Sequence, residues 1–117
     1  MSNIQELETN LNDMILSGDA LAAFDRYYAP NVVMQENSEE PRVGKEANRA
    51  YEEQFFSMVK EVHSMSCDAL ASHGDVSFSE WSMDLTFQDG TRVQRTQVAR
   101  RKWQDGQIIE ERFFFGA

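Results

Sequence analysis

Two Asp-Gly dipeptides near the end of the chain constrain the fold more than anything before them. The last third reads VSFSEWSMDLTF, QDGT, RVQRTQVARRKW, QDGQ and IIEERFFF, so three long runs suited to strands meet at Asp89-Gly90 and Asp105-Gly106. Asp-Gly tolerates the positive φ angles of a tight hairpin. The pattern predicts a three-stranded antiparallel meander from about Val76 to Phe115. Such a sheet has an apolar face to cover, and only the N-terminal half is left to cover it.

That half reads as helical. Ile4, Leu7, Leu11, Met14 and Ile15 recur at three and four residues, predicting an amphipathic helix over Ser2–Leu16 with Ser2 or Asn3 as cap and Ser17-Gly18 as its end. Asp19 is placed to cap a second helix, ALAAFDRYY, which Pro30 stops. VVMQEN (Val32–Asn37) predicts a short strand, and SEEPRVG a polar loop. A third helix, KEANRAYEEQFFSMV, sets Ala47, Tyr51, Phe55 and Met58 on one face. EVHSMSCDALASHGD then predicts a fourth long strand, with His63, Met65, Cys67 and Ala69 at one parity and His73 entering a turn.

Within the meander Trp81, Met83, Leu85 and Phe87 alternate, while Val76 and Phe78 have the opposite parity; a bulge near Ser79-Glu80 would reconcile them. Val93, Arg95, Gln97, Ala99 and Trp103 share a face of the middle strand. The last strand carries Ile109, Glu111, Phe113 and Phe115 on one face and Ile108, Glu110, Arg112 and Phe114 on the other. Both faces are partly apolar, which predicts helices on the concave side and a second copy of the chain on the convex side.

Composition narrows the function classes. A chain of 117 residues has room for one domain, 1–117, burying roughly 65% of its unfolded surface. A net charge of −9 opposes binding to nucleic acid, and Arg92, Arg95, Arg100, Arg101 and Lys102 read as solvated strand charge. Cys67 is the only cysteine, so no intrachain disulfide is expected and the usage suits a reducing compartment. The acidic N-terminus does not resemble a signal peptide, and no run approaches the ~20 apolar residues of a membrane span. A cytoplasmic protein without membrane contact is the expectation.

The order of elements resembles the nuclear transport factor two-like superfamily. SGDALAAFDRYYAPNVVMQENSEEPRVGKEA and the ending IIEERFFFG resemble its SnoaL-like polyketide cyclase and ketosteroid isomerase branch. The resemblance implies an α+β fold: a cone-shaped curved antiparallel sheet, about four long strands plus one short, closed by three N-terminal helices. It also implies that Glu36 stands where the isomerases carry a proton-transferring carboxylate, and that Tyr51 and Phe115 stand at aromatic wall positions. The isomerases' oxyanion tyrosine falls at Leu11 and their second acid at Ala99, so the ketosteroid isomerase reaction itself is not expected.

Glu36 is the first candidate for proton transfer, because a carboxylate closing a strand against an aromatic cavity is desolvated and suited to general-base work. His63 is the second, at the parity the resemblance turns inward. Tyr28, Tyr51, Phe55, Trp81 and Met83 are candidate apolar walls. Arg95, Gln97, Glu111 and Phe115 complete the candidate lining, the polar three either pairing with one another or meeting a polar ligand. The histidine and cysteine spacing suggests no metal, and no phosphate-binding glycine loop occurs; no cofactor is expected. The partners expected are a partly apolar small molecule and a second copy of the chain through the convex face. Three functions fit: a cofactor-free isomerase, cyclase or dehydratase; a ligand-binding module without catalysis; or a protein-interaction domain whose cavity its own side chains fill.

Overall fold

The computed structural model describes residues 3–116. They form three helices, α1 (Ile4–Leu16), α2 (Ala20–Tyr27) and α3 (Lys45–Met58). The strands are β1 (Tyr28–Glu36), β2 (Arg42–Val43), β3 (Val59–His73), β4 (Val76–Phe87), β5 (Arg92–Gln104) and β6 (Gln107–Phe115). One curved sheet holds all six strands in the order β2-β1-β6-β5-β4-β3, and the helices lie across its concave face. The expected α+β cone is the fold observed. Among the described residues no helix is long and apolar enough to cross a membrane.

The hairpins form where the Asp-Gly pairs stand. Asp105 and Gly106 take φ of 52° and 79°, the two successive positive angles of a type I′ turn. Gly90 at 90° closes the longer β4–β5 loop, and Thr91 N–H donates to Asp89 Oδ1 at 2.9 Å. Asn3 caps α1 by accepting from Gln5 N–H at 2.8 Å, whereas Ser2 lies outside the described residues. Asp19 stands at the N-cap of α2 but makes no capping hydrogen bond through its side chain, contrary to expectation.

The second helix ends one residue earlier than expected. Tyr28 already belongs to β1, which runs parallel to β6 and pairs Tyr28 with Ile108 and Glu36 with Phe113. Pro30 sits inside this strand because the register shifts between Tyr28 and Val33, leaving a stretch where its missing N–H matters little. A parallel pair between the first and last strands brings the ends of β1 and β6 to one rim of the cone.

Register also moves several side chains away from their expected faces. The β4–β5 pairing is uninterrupted from Val76 to Thr86, so β4 has no bulge at Ser79-Glu80. Ser77 and Ser79 point inward with Trp81 and Leu85, and Phe78 points outward. The bulges lie instead on the edge strand β3, whose pairing with β4 skips Lys60, His63 and Asp68. On β6 the pairing skips Ile109, so Ile108 turns into the core and the outward face keeps Glu110, Arg112 and Phe114.

Ser77 and Ser79 face inward because a buried carboxylate needs donors there. Glu8 of α1 is fully buried and accepts from both serine hydroxyls and from Arg101 Nη1 at 3.0 Å. Arg101 is 2% exposed, not a solvated strand charge, and bridges to Glu111 through Nε at 2.6 Å and to Asn12 Oδ1 at 2.8 Å. Trp103 Nε1 donates to Ser77 Oγ at 2.9 Å, and Tyr28 Oη donates to Glu111. Among the described residues no buried side-chain polar atom is left without a partner. The apolar core, with Leu11, Phe24, Val32, Met34, Trp103 and Ile108, packs beside this network.

Removing one member of such a network strands the remaining charges in a medium that does not solvate them. Arg101→Met should therefore destabilise the protein by about 3–5 kcal/mol. Arg49→Met, which breaks the exposed, solvent-screened bridges to Asp25 and Glu53, should change stability far less. Urea unfolding of the two variants checks the contrast.

Candidate functional site

A cavity of about 300 Å³ opens between α3, the N-terminal helices and the concave sheet. Its walls are mainly apolar: Phe55 and Phe56 from α3, Trp81, Met83 and Leu85 from β4, Phe113 and Phe115 from β6. Leu11, Ile15, Phe24 and Tyr28 close the inner end. The volume stands at the lower limit of the ~300–1,000 Å³ usual for small-ligand pockets. The chain's own side chains do not fill it.

The structure brings together ten of the residues singled out from sequence. Glu36, Tyr28, Tyr51, Phe55, Trp81, Met83, Arg95, Gln97, Glu111 and Phe115 all line the cavity. His63 does not. The bulge on β3 reverses its parity, and its ring meets Thr86 Oγ1 at 2.7 Å and Glu61 at 2.7 Å on the exposed surface. Met65, two residues on, lines the cavity.

Glu36 closes β1 as expected, but its carboxylate is held. Arg42 grips it with both ends of its guanidinium, at 2.6 and 2.8 Å, across the β1–β2 turn. Arg42 in turn lies 3.6 Å over the Tyr51 ring and donates through Nε to Asn48 Oδ1 at 3.2 Å. Asn48 is fully buried, and its amide donates to the Arg42 and Gly44 carbonyls at 3.0 and 2.8 Å. A bidentate pair fixed from behind in this way is geometrically rigid. Arg95 is not part of this group: its guanidinium lies 4.0 Å over the Phe115 ring.

The side chain that sequence reading missed is Glu52. The face of α3 turned inward carries Asn48, Glu52 and Phe55, while Ala47 is exposed. Two polar residues on the covered face hid it from a periodicity search built on apolar positions. The spacing of Asn48, Glu52 and Phe55, four and three residues apart, was the available signal. Glu52 keeps some surface in the cavity, yet its carboxyl lies deep, and it makes no hydrogen bond or ion pair among the described residues.

Burial pushes the Glu52 carboxyl up to about 7, helped by the charges of Glu111 and Glu36 and opposed by Arg42 and Arg101. Its neighbours are settled by comparison. Burial and Glu111 hold the Tyr28 hydroxyl well above its ordinary range, so it stays protonated. Burial also raises Glu111, with Arg101 and Tyr28 pulling the other way. Glu52 is thus a carboxyl that populates both protonation states near neutral pH, faces open space and is bound to nothing. Among the described residues no cluster of three or more histidine, cysteine or acidic side chains is placed to hold a metal ion.

A curved sheet closed by three helices over one lined cavity defines the nuclear transport factor two-like class of pocket proteins. Residues 4–115 match the SnoaL-like domain family, and the chain belongs to it. The fold superposes on that of a candidate SnoaL-like polyketide cyclase from Mesorhizobium loti with TM-score 0.86 at 28% identity, covering 96% of this chain and 98% of that one. A candidate isomerase from Bacillus subtilis aligns with TM-score 0.80 at 16% identity, over 98% and 90% of the two chains. An epoxide hydrolase from M. tuberculosis, described as LEH-like, aligns with TM-score 0.78 at 14% identity, over 97% and 82%. No curated protein matches the sequence significantly.

The Glu52 shift has a signed consequence. The unfolded chain releases this proton near 4.5 and the folded protein near 7, so the fold favours the neutral form. Stability from this group is complete below about 4.5 and is lost as pH rises through 7. Glu52→Gln, which is neutral at every pH, should therefore leave stability unchanged at pH 4 and raise it by up to about 3 kcal/mol above pH 8. Denaturation across that range, with ¹³C carboxyl titration of Glu52, checks both the sign and the midpoint.

Proposed function

We propose that the protein is a cofactor-free enzyme that moves a proton on a small, partly apolar carbonyl compound, as an isomerase, cyclase or dehydratase does. The observation that carries this reading is Glu52: an unpartnered carboxyl raised to about 7, at the wall of an open, mostly apolar cavity. A proton carrier works best when its pKa lies near the working pH, since it must both take and give the proton. Glu36, the first candidate from sequence, is assigned the supporting part. Locked to Arg42, it keeps that cation in place and its negative charge helps hold the Glu52 proton. His63, on the outer surface, has no part in the reaction.

The ketosteroid isomerase reaction is not proposed, because Leu11 and Ala99, where the resemblance puts that enzyme's oxyanion donors, carry no donor. The second reading is a ligand-binding module without catalysis. It is favoured by the pairing of Tyr28, Arg101, Glu111, Glu36 and Arg42 among themselves, which leaves Glu52 and, on the exposed β1–β2 turn, Glu39 as the lining's unpaired acids. One variant separates the two. Glu52→Gln should lower hydrogen–deuterium exchange beside the carbonyl of a bound cyclic ketone by about 100-fold or more while changing its affinity little. Exchange that never exceeds the rate in buffer, together with saturable binding, would make the protein a binding module.

The convex face is proposed as a dimer interface. Phe78 and Phe114 are 38% and 40% exposed there, near Val98 and Arg112 on the intervening and last strands. Ile108 is excluded from it by the bulge that turns it into the core. Light scattering should give twice the 13.5 kDa chain mass, and Phe114→Asp should return the monomer.

A further inference from the structure

The polar groups that face the cavity divide into those already bound and those free. Arg101 is taken by carboxylates, Tyr28 by Glu111, and Glu36 by Arg42 behind it. Arg95 and Gln97 are not: among the described residues neither side chain makes a hydrogen bond or an ion pair, and both line the cavity. They stand two residues apart on the inward face of β5, so their ends open on the same space. Arg95 is also preset. Its guanidinium face rests 4.0 Å over Phe115, whose backbone N–H is tied to Asn37 Oδ1 at 3.0 Å. Stacking occupies the flat face and leaves the N–H donors, which radiate in the plane, free for a planar acceptor.

Extending the reading of the cavity as a ligand site, we propose that the ligand carries a carboxylate, gripped by Arg95 with Gln97 beside it, and an apolar body laid against Trp81 and Met83 toward Glu52. Glu36 and Glu111 are matched by Arg42 and Arg101, Glu39 and Glu52 line the cavity without a cation, and among the described residues Arg95 is the lining's cation without a carboxylate partner, the one group there suited to take an anion. The charged groups that act most on Glu52 are Glu111, Arg42, Glu36 and Arg101, and Arg95 is not among them. A phosphate, with nearly two charges, would call for a second free cation that the lining lacks. Because the arginine is held in place before binding, little side-chain freedom is lost on gripping the anion.

Heteronuclear NMR titration with phenylacetate, phenylacetamide and phenyl phosphate tests the assignment. The carboxylate should bind about tenfold tighter than its uncharged amide. Arg95→Gln and Arg95→Met should both bring phenylacetate down to the level of the amide and leave the amide's affinity unchanged. Equal binding of acid and amide, a preference that survives both substitutions, tighter binding of phenyl phosphate, or no binding of any probe would each overturn it. Glu52→Gln should keep the preference for the acid. If that preference appears and no proton exchange does, the proton-transfer reading falls and the anion site stands; exchange with no preference gives the reverse.

Discussion

Arg101 is a charge buried in the centre of the fold, and its partners fix how the elements around it cross. It reaches from the middle of the sheet to Glu8 and Asn12 on the first helix and to Glu111 on the last strand, so one side chain joins three elements. A buried ion pair is not in itself a source of stability, because its desolvation offsets much of the attraction. Its effect here is geometric. Glu8 must stand over Ser77 and Ser79, and that sets how α1 crosses β4. Tyr28 must reach Glu111, and that helps bind the start of β1 to β6.

The cavity follows from that arrangement. With the polar network at the inner end and α3 held to α2 through Arg49 and Asp25, the space between α3 and β4 stays open. Its polar groups fall into two sets. The paired set fixes positions, and the unpaired set (Glu39, Glu52, Arg95 and Gln97) has hydrogen-bonding capacity that the described residues do not use. An acid free to titrate beside charges that are fixed is the arrangement proton transfer requires, because the surrounding charges do not reorganise as the proton moves.

Bulges on β3 shape the site as much as any side chain in it. Each skipped residue reverses the alternation, so a strand that reads as one face in sequence is divided into segments that face different ways. Bulges also make the exposed edge a poor template for further pairing. His63 is the residue most affected: it is itself skipped in the pairing, and without that bulge it would share the inward face with Met65.

Local signals in the chain were enough for the hairpins, the aromatic character of the cavity and the order of elements apart from β2, which lies in a stretch that reads as a polar loop. Asp-Gly turns and three- and four-residue apolar spacing act locally, through φ angles and helix faces that need no tertiary information. Glu36 at the end of a strand and the inward Trp81, Met83, Arg95 and Gln97 were legible for the same reason, since β4 and β5 alternate without interruption. Register and pairing between distant residues set the rest. Arg101 looked like surface charge because its partners, Glu8 and Glu111, are far along the chain in one direction and across a hairpin in the other. Ile108 and His63 changed sides at bulges that local composition does not reveal. Glu52 went unseen because a helix face that is polar in sequence was covered by the fold, and burial beside other charges gave an ordinary glutamate its proton affinity.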